Sequence, residues 1–248
     1  MEIEKFNPKE YREDLLAGFS IHENLFEGAV ESLISSFKKS VEELETEFNK
    51  IVRIMSPEEN FDEDGNRMLR FRMLTRLHNQ QSWQKEQCLA LNEMRIIYLF
   101  KSLEISLKSL INTAYPTTNI RDFYRWESII NFFKQKNIDV LKINGYKEAN
   151  ELRSLNNNLK HSLNLDVDVR RIPEFKHAEF IDNPLIELFL ERIVTKLKFF
   201  QINLIEEVRK DLYDFDEERL TNMAKDCFKR LRKDQADVFI IKIREQYE

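Results

Sequence analysis

Apolar residues recur at steps of three and four from Phe26 through Val30, Leu33, Phe37, Val41, Leu44, Phe48 and Ile51 to Met55. That period lays one stripe along a helix of about eight turns, which needs a partner to cover its apolar side. Ser56-Pro57 ends the run, and a polar segment to Asn66 turns the chain back. A second run, about Arg67 to Thr113, predicts a helix that returns beside the first as an αα-hairpin. Its middle, from Arg95 through Phe100 to Ile111, is apolar on more than one side, the pattern of a central helix covered by several neighbours.

Upstream, Asn7-Pro8 has the cap-then-proline form of a helix start and opens a short helix ending near Gly18. Downstream, Tyr115-Pro116 breaks the long run. A helix is expected from about Asn119 to Lys136, then a loop to Gly145, then a helix from about Tyr146 to Leu163. Asp166 to Arg170 alternates polar and apolar residues like a short extended segment, and Pro173 keeps it from joining the next helix smoothly. Asp182-Asn183-Pro184 caps another long helix, with a stripe of Leu185, Phe189, Ile193, Leu197, Phe200, Leu204, Val208 and Leu212. One or two further helices run from about Asp216 to the end.

These elements predict an all-α protein: an up-and-down helical bundle with a long N-terminal hairpin and extra C-terminal helices. The expected division is 1–66 as an N-terminal arm, 67–215 as the bundle and 216–248 as a C-terminal extension. Composition agrees, since only 4 glycines and 5 prolines occur in 248 residues and 33% of the residues are charged. No internal repeat or low-complexity tract interrupts the pattern.

A net charge of -5 excludes a protein that coats nucleic acid through bulk positive charge, so any RNA contact must be local. Cys88 and Cys227 are too few and too separated for a disulfide framework or a four-ligand zinc site, and a reducing cytoplasm fits best. The first residues lack the order of a signal peptide, and no apolar run is long enough to span a membrane. The sequence therefore predicts a soluble cytoplasmic protein.

The chemistry concentrates between Arg153 and Ser162. At about 100° per residue, Asn157 lies roughly 40° and Arg153 roughly 80° from His161, so one helix flank projects all three. Leu152, Leu155 and Leu159 fall on the opposite flank and hold the helix to the core. Histidine passes protons near neutral pH, and arginine binds phosphate oxygens in a fork. The trio could meet a single phosphate and suits RNA cleavage without a metal or other cofactor. A general base activates the ribose 2′-hydroxyl, an acid protonates the leaving 5′-oxygen, and a guanidinium stabilises the phosphorane. Asn156 or Asn157 would orient the phosphate or base, with Lys160 alongside.

Arg153, the run Asn156 to Asn158, and Lys160-His161-Ser162 together resemble the HEPN superfamily (higher eukaryotes and prokaryotes nucleotide-binding). The resemblance covers roughly residues 90–213 and includes Phe100 to Lys108, which looks like the family's early bundle helix with its acidic position at Glu104. It implies a helical bundle that dimerises and places motifs from two subunits in one cleft. In many members that cleft is a metal-independent ribonuclease acting in toxin–antitoxin, phage-defence or RNA-processing systems. It further implies a homodimer, an RNA substrate and an antitoxin or sensor partner. The spacing departs from the family pattern, because seven residues rather than four to six separate Arg153 from His161, and Ser154 follows the arginine. The alternative is a non-catalytic HEPN-like module that dimerises or docks a partner through the hairpin at 22–113.

Other signals are weaker. Asn60, Asp62, Asp64 and Gly65 match the start of a calcium loop, but the twelfth position is Phe71 rather than a bidentate glutamate, so the segment reads as a turn. His22, His78 and His177 lack ligand spacing. The dispersed glycines exclude a phosphate-cradling loop. Arg67, Arg70, Arg72 and Arg76, and later Lys225, Lys229, Arg230, Arg232 and Lys233, form basic clusters that read first as solvated helix faces. The 19 phenylalanines most simply fill helix interfaces.

Overall fold

A computed structural model describes residues 8–17, 27–54, 66–116, 120–162 and 164–246. Among these residues the chain is helical and contains no strand. The helices are α1 (Pro8–Ala17), α2 (Glu27–Ile54), α3 (Asn66–Ala114), α4 (Trp126–Gln135), α5 (Tyr146–His161), α6 (Asn183–Tyr213), α7 (Glu217–Arg230) and α8 (Lys233–Arg244). The calcium-like loop at 60–65, Asn7, Ser56-Pro57 and His22 lie outside the described residues. No described helix is long and apolar enough to cross a membrane.

α2 and α3 form the expected antiparallel hairpin. Gln84 Nε2 donates to Ser40 Oγ at 2.8 Å, and Arg95 pairs with Glu31 at 3.2 Å. At 49 residues, α3 is long enough to serve two purposes: its N-terminal half pairs with α2, and its C-terminal half enters the bundle. There Ile96, Phe100, Leu103, Leu107, Leu110 and Ile111 are buried against α5 and α6. The helix is thus the central element expected, packed against several neighbours, while Met94, Tyr98 and Ile105 remain exposed.

A polar knot joins hairpin to bundle. Asn92, fully buried, donates to Asn183 Oδ1 at 3.0 Å and to Glu187 Oε1 at 3.3 Å, and Lys38 reaches Glu187 Oε2 at 2.7 Å. Burying an amide costs free energy unless its donors are satisfied, so these contacts fix where α2, α3 and α6 meet. α6 begins as its sequence predicts, with Asp182 Oδ1 accepting from the Leu185 amide at 3.0 Å and Pro184 in the first turn. Phe189, Ile193, Leu197, Phe200, Leu204 and Val208 on its stripe are buried.

Two expectations change. The predicted helix from Asn119 to Lys136 is interrupted: a single 3₁₀ turn spans Ile120–Asp122, and α4 starts only at Trp126. Arg125 takes an extended backbone (φ -119°, ψ 145°), and Phe123 and Trp126 on either side of it are both buried in the core. α4 then ends in a Schellman motif, with Asn137 left-handed at φ 61° and the Ile138 amide bonded to Phe133 O at 3.0 Å. Asp166 to Arg170 is not extended. A 3₁₀ turn spans Val169–Arg171, and the buried positions are Leu165, Val169, Ile172 and Phe175, whose steps of four and three are those of a turn rather than of a strand.

α7 and α8 are the further helices expected after Asp216, and neither buries a residue.

Candidate functional site

α5 carries the residues singled out by the sequence. It starts at Gly145, whose left-handed backbone (φ 91°) lies where a Cβ would collide with the Lys196 carbonyl oxygen and stand 2.9 Å from Phe200 Cβ. Only glycine lets α5 pack this closely on α6. Ala149, Leu152 and Leu155 are fully buried beneath it. The opposite flank of the helix, Lys147, Asn150, Arg153, Ser154, Asn157, Lys160 and His161, is partly or wholly exposed and holds no carboxylate.

The far end of the helix is fixed from below. Asn158, buried, donates its Nδ2 to the Asn164 carbonyl at 2.7 Å, and Ser162 Oγ donates to the same oxygen at 2.8 Å. Both bonds pin the turn just beyond His161. The imidazole itself is exposed, with no hydrogen bond or ion pair among the described residues. Asn157 is exposed, and its Oδ1 accepts from Asn156 Nδ2 at 3.2 Å.

Asn156 lies elsewhere than an RNA-contacting role requires. It is 1% exposed, and its own Oδ1 has no hydrogen-bond partner. A side chain so enclosed orients Asn157 rather than touching a ligand. The sequence held a signal for this: at about 100° per residue Asn156 is roughly 140° from His161, among the leucines.

Arg153 is half-buried and already engaged. Its Nε donates to Asn150 Oδ1 at 3.1 Å, and its Nη1 to Glu127 Oε1 at 3.2 Å, across to α4. Neither Asn150 nor Glu127 was singled out by the sequence. Asn150 stands one helical turn before Arg153 and was findable on that spacing, whereas Glu127 is 26 residues away with no local signature. Lys160 is exposed. Glu104 is paired with Lys108 on its own helix at 2.6 Å and makes no hydrogen bond or ion pair with the α5 flank.

The trio shares a flank but not a point. Arg153 and His161 are eight residues apart, about 12 Å along the axis, so one helix cannot bring both onto a single phosphate. Asn157 stands midway, about 6 Å from each.

Behind this flank, Arg192 of α6 ties α5 to the segment before α6. It donates to Glu174 at 2.6 and 2.9 Å and to Glu151 of α5 at 2.8 Å. Burial pushes the Glu174 carboxyl up, but the Arg192 hydrogen bonds and charge outweigh it and hold the group below its ordinary range. Among the described residues, no cluster of histidine, cysteine, aspartate or glutamate is gathered as a metal would require. No family model, curated protein or solved structure matches this chain.

Proposed function

We propose that this protein is an endoribonuclease of the HEPN type that cuts RNA through a composite site built from the α5 helices of two copies. The observation that carries the reading is the line of Arg153, Asn157 and His161 along one flank of α5, with Asn157 at its midpoint and His161 exposed. A twofold axis passing near Asn157 reverses the second α5 and lays Arg153 of the partner subunit beside His161 of the first. The 12 Å spread that defeats one helix thus becomes the spacing that a pair of helices needs.

In such a site the His161 imidazole takes the proton of a ribose 2′-hydroxyl as that oxygen bonds to phosphorus. The bond from phosphorus to the 5′-oxygen breaks, and the leaving oxygen takes the proton back from the imidazolium so formed, giving a 2′,3′-cyclic phosphate and a 5′-hydroxyl end. The guanidinium stabilises charge on the phosphorane, and Asn157 positions the phosphate or base. No residue in this scheme calls for a metal. The resemblance further implies action in the cytoplasm, in a toxin–antitoxin or phage-defence setting, under an antitoxin or sensor.

The test is cleavage of RNA by purified protein in the presence of a chelator. His161→Ala should abolish cleavage while leaving the helical circular-dichroism spectrum intact. Equal cleavage by the variant would overturn the assignment.

A further inference from the structure

Residues 66–85, the first 20 of the stretch of α3 that pairs with α2, contain four arginines and a lysine and not one aspartate or glutamate, in a chain whose net charge is -5. The opposing helix, by contrast, mixes six glutamates with four basic residues, Lys38, Lys39, Lys50 and Arg53. Leu77, Gln81, Gln84 and Cys88 mark the side of α3 turned to α2. At about 100° per residue, Arg72, Arg76, Asn79 and Trp83 fall roughly 100° to 160° from Leu77, on its outward side.

This outward strip is a shallow groove lined by Arg72, Thr75, Arg76, Asn79, Gln80 and Trp83. Trp83 is 56% exposed, whereas Trp126 is buried in the core. Among the described residues, Arg72 and Arg76 have no carboxylate partner, in contrast to Arg95, Arg153 and Arg192. From Arg72 to Trp83 the strip runs about 16 Å.

We infer that the outward face of α3 from Arg72 to Trp83 is a binding track for single-stranded RNA. Unpartnered guanidinium groups meet phosphates and release counterions, and the exposed indole supplies a π-face on which any base stacks. Asn79 and Gln80 present both donors and acceptors to base edges between them. A duplex hides its base faces and would leave the indole unused, so single strands are the ligand. The inference rests on the α5 reading only in taking RNA as the ligand: the arm would hold substrate, and α5 would cut it.

The experiment uses the full chain carrying His161→Ala, so that RNA stays intact, with fluorescein-labelled oligouridine titrated at several salt concentrations. Arg72→Gln with Arg76→Gln should weaken binding and lower the slope of log affinity against log salt by about 1.4, or about 0.7 per lost phosphate contact. Trp83→Ala should weaken binding by about 5- to 100-fold. Oligouridine should quench Trp83 emission, read against a Trp83→Phe protein that retains only Trp126. Lys50→Gln with Arg53→Gln, on α2, should leave binding unchanged. The inference is overturned if the arm variants bind RNA as tightly as their parent, if the α2 variants lose as much, or if polyglutamate quenches Trp83 as oligouridine does.

The two readings separate cleanly. Loss of binding in the arm variants, in a protein that cuts no RNA, would remove the α5 proposal and leave the track. Cleavage that needs His161 while the arm variants bind normally would do the reverse.

Discussion

Arg153 Nη1 lies 3.2 Å from Glu127 Oε1, so the one guanidinium on the α5 flank is held by a carboxylate from α4. Glu127 is 64% exposed, and a pair this open contributes little, about 0.2–1 kcal/mol, so a phosphate can displace it.

Glu127→Gln should therefore free Arg153 without harming the fold. Cleavage under single-turnover conditions should rise by a factor of about 1.4 to 5, the factor equivalent to that pair energy. An unchanged or lower rate would mean that Arg153 does not act on the substrate.

Arg192 holds the packing behind the site. Glu151 and Glu174 each retain only 10% of their side-chain exposure, so Arg192→Ala strands two carboxylates in a poor solvent. The expected loss is about 3 kcal/mol, the lower end for a broken buried pair because Arg192 itself keeps 29% exposure. Urea unfolding measures it. The same contact makes stability depend on pH. Glu174 titrates below its unfolded value of 4.5, so its contribution is complete above that pH and is lost as pH falls through the lower folded value. Glu174→Gln should flatten this acid limb of the stability curve.

Gly145→Ala should cost more than about 2 kcal/mol, because a left-handed backbone and a collision with the Lys196 carbonyl act together. Thermal unfolding reads the loss. RNA cleavage at a temperature where the variant is still folded should also fall, since α5 must lift from α6 to relieve the clash.

Much of the scaffold was legible because its signals are local. Asp182 followed by Pro184 announces α6, and the steps from Leu185 to Leu212 give its buried stripe. The failures arose where local pattern met a tertiary demand. Nothing near Arg125 signals a break, yet its backbone is extended there and α4 begins only at Trp126. Asp166 to Arg170 alternates in polarity, but Val167 is exposed and Val169 buried because the segment caps the bundle as a turn. At the site, the exposed flank could be read from helical periodicity. The Glu127 contact could not, because it depends on how α4 is set down beside α5.

The composite site makes one demand that no single-chain site shares. Arg153→Ala and His161→Ala proteins, each inactive alone, are mixed under conditions that let subunits exchange, and RNA cleavage is measured with a chelator present. In a mixed dimer one of the two sites keeps both its guanidinium and its imidazole, so equal amounts should recover about a quarter of wild-type activity. If subunits demonstrably exchange and no activity returns, Arg153 and His161 do not serve one site across a twofold axis.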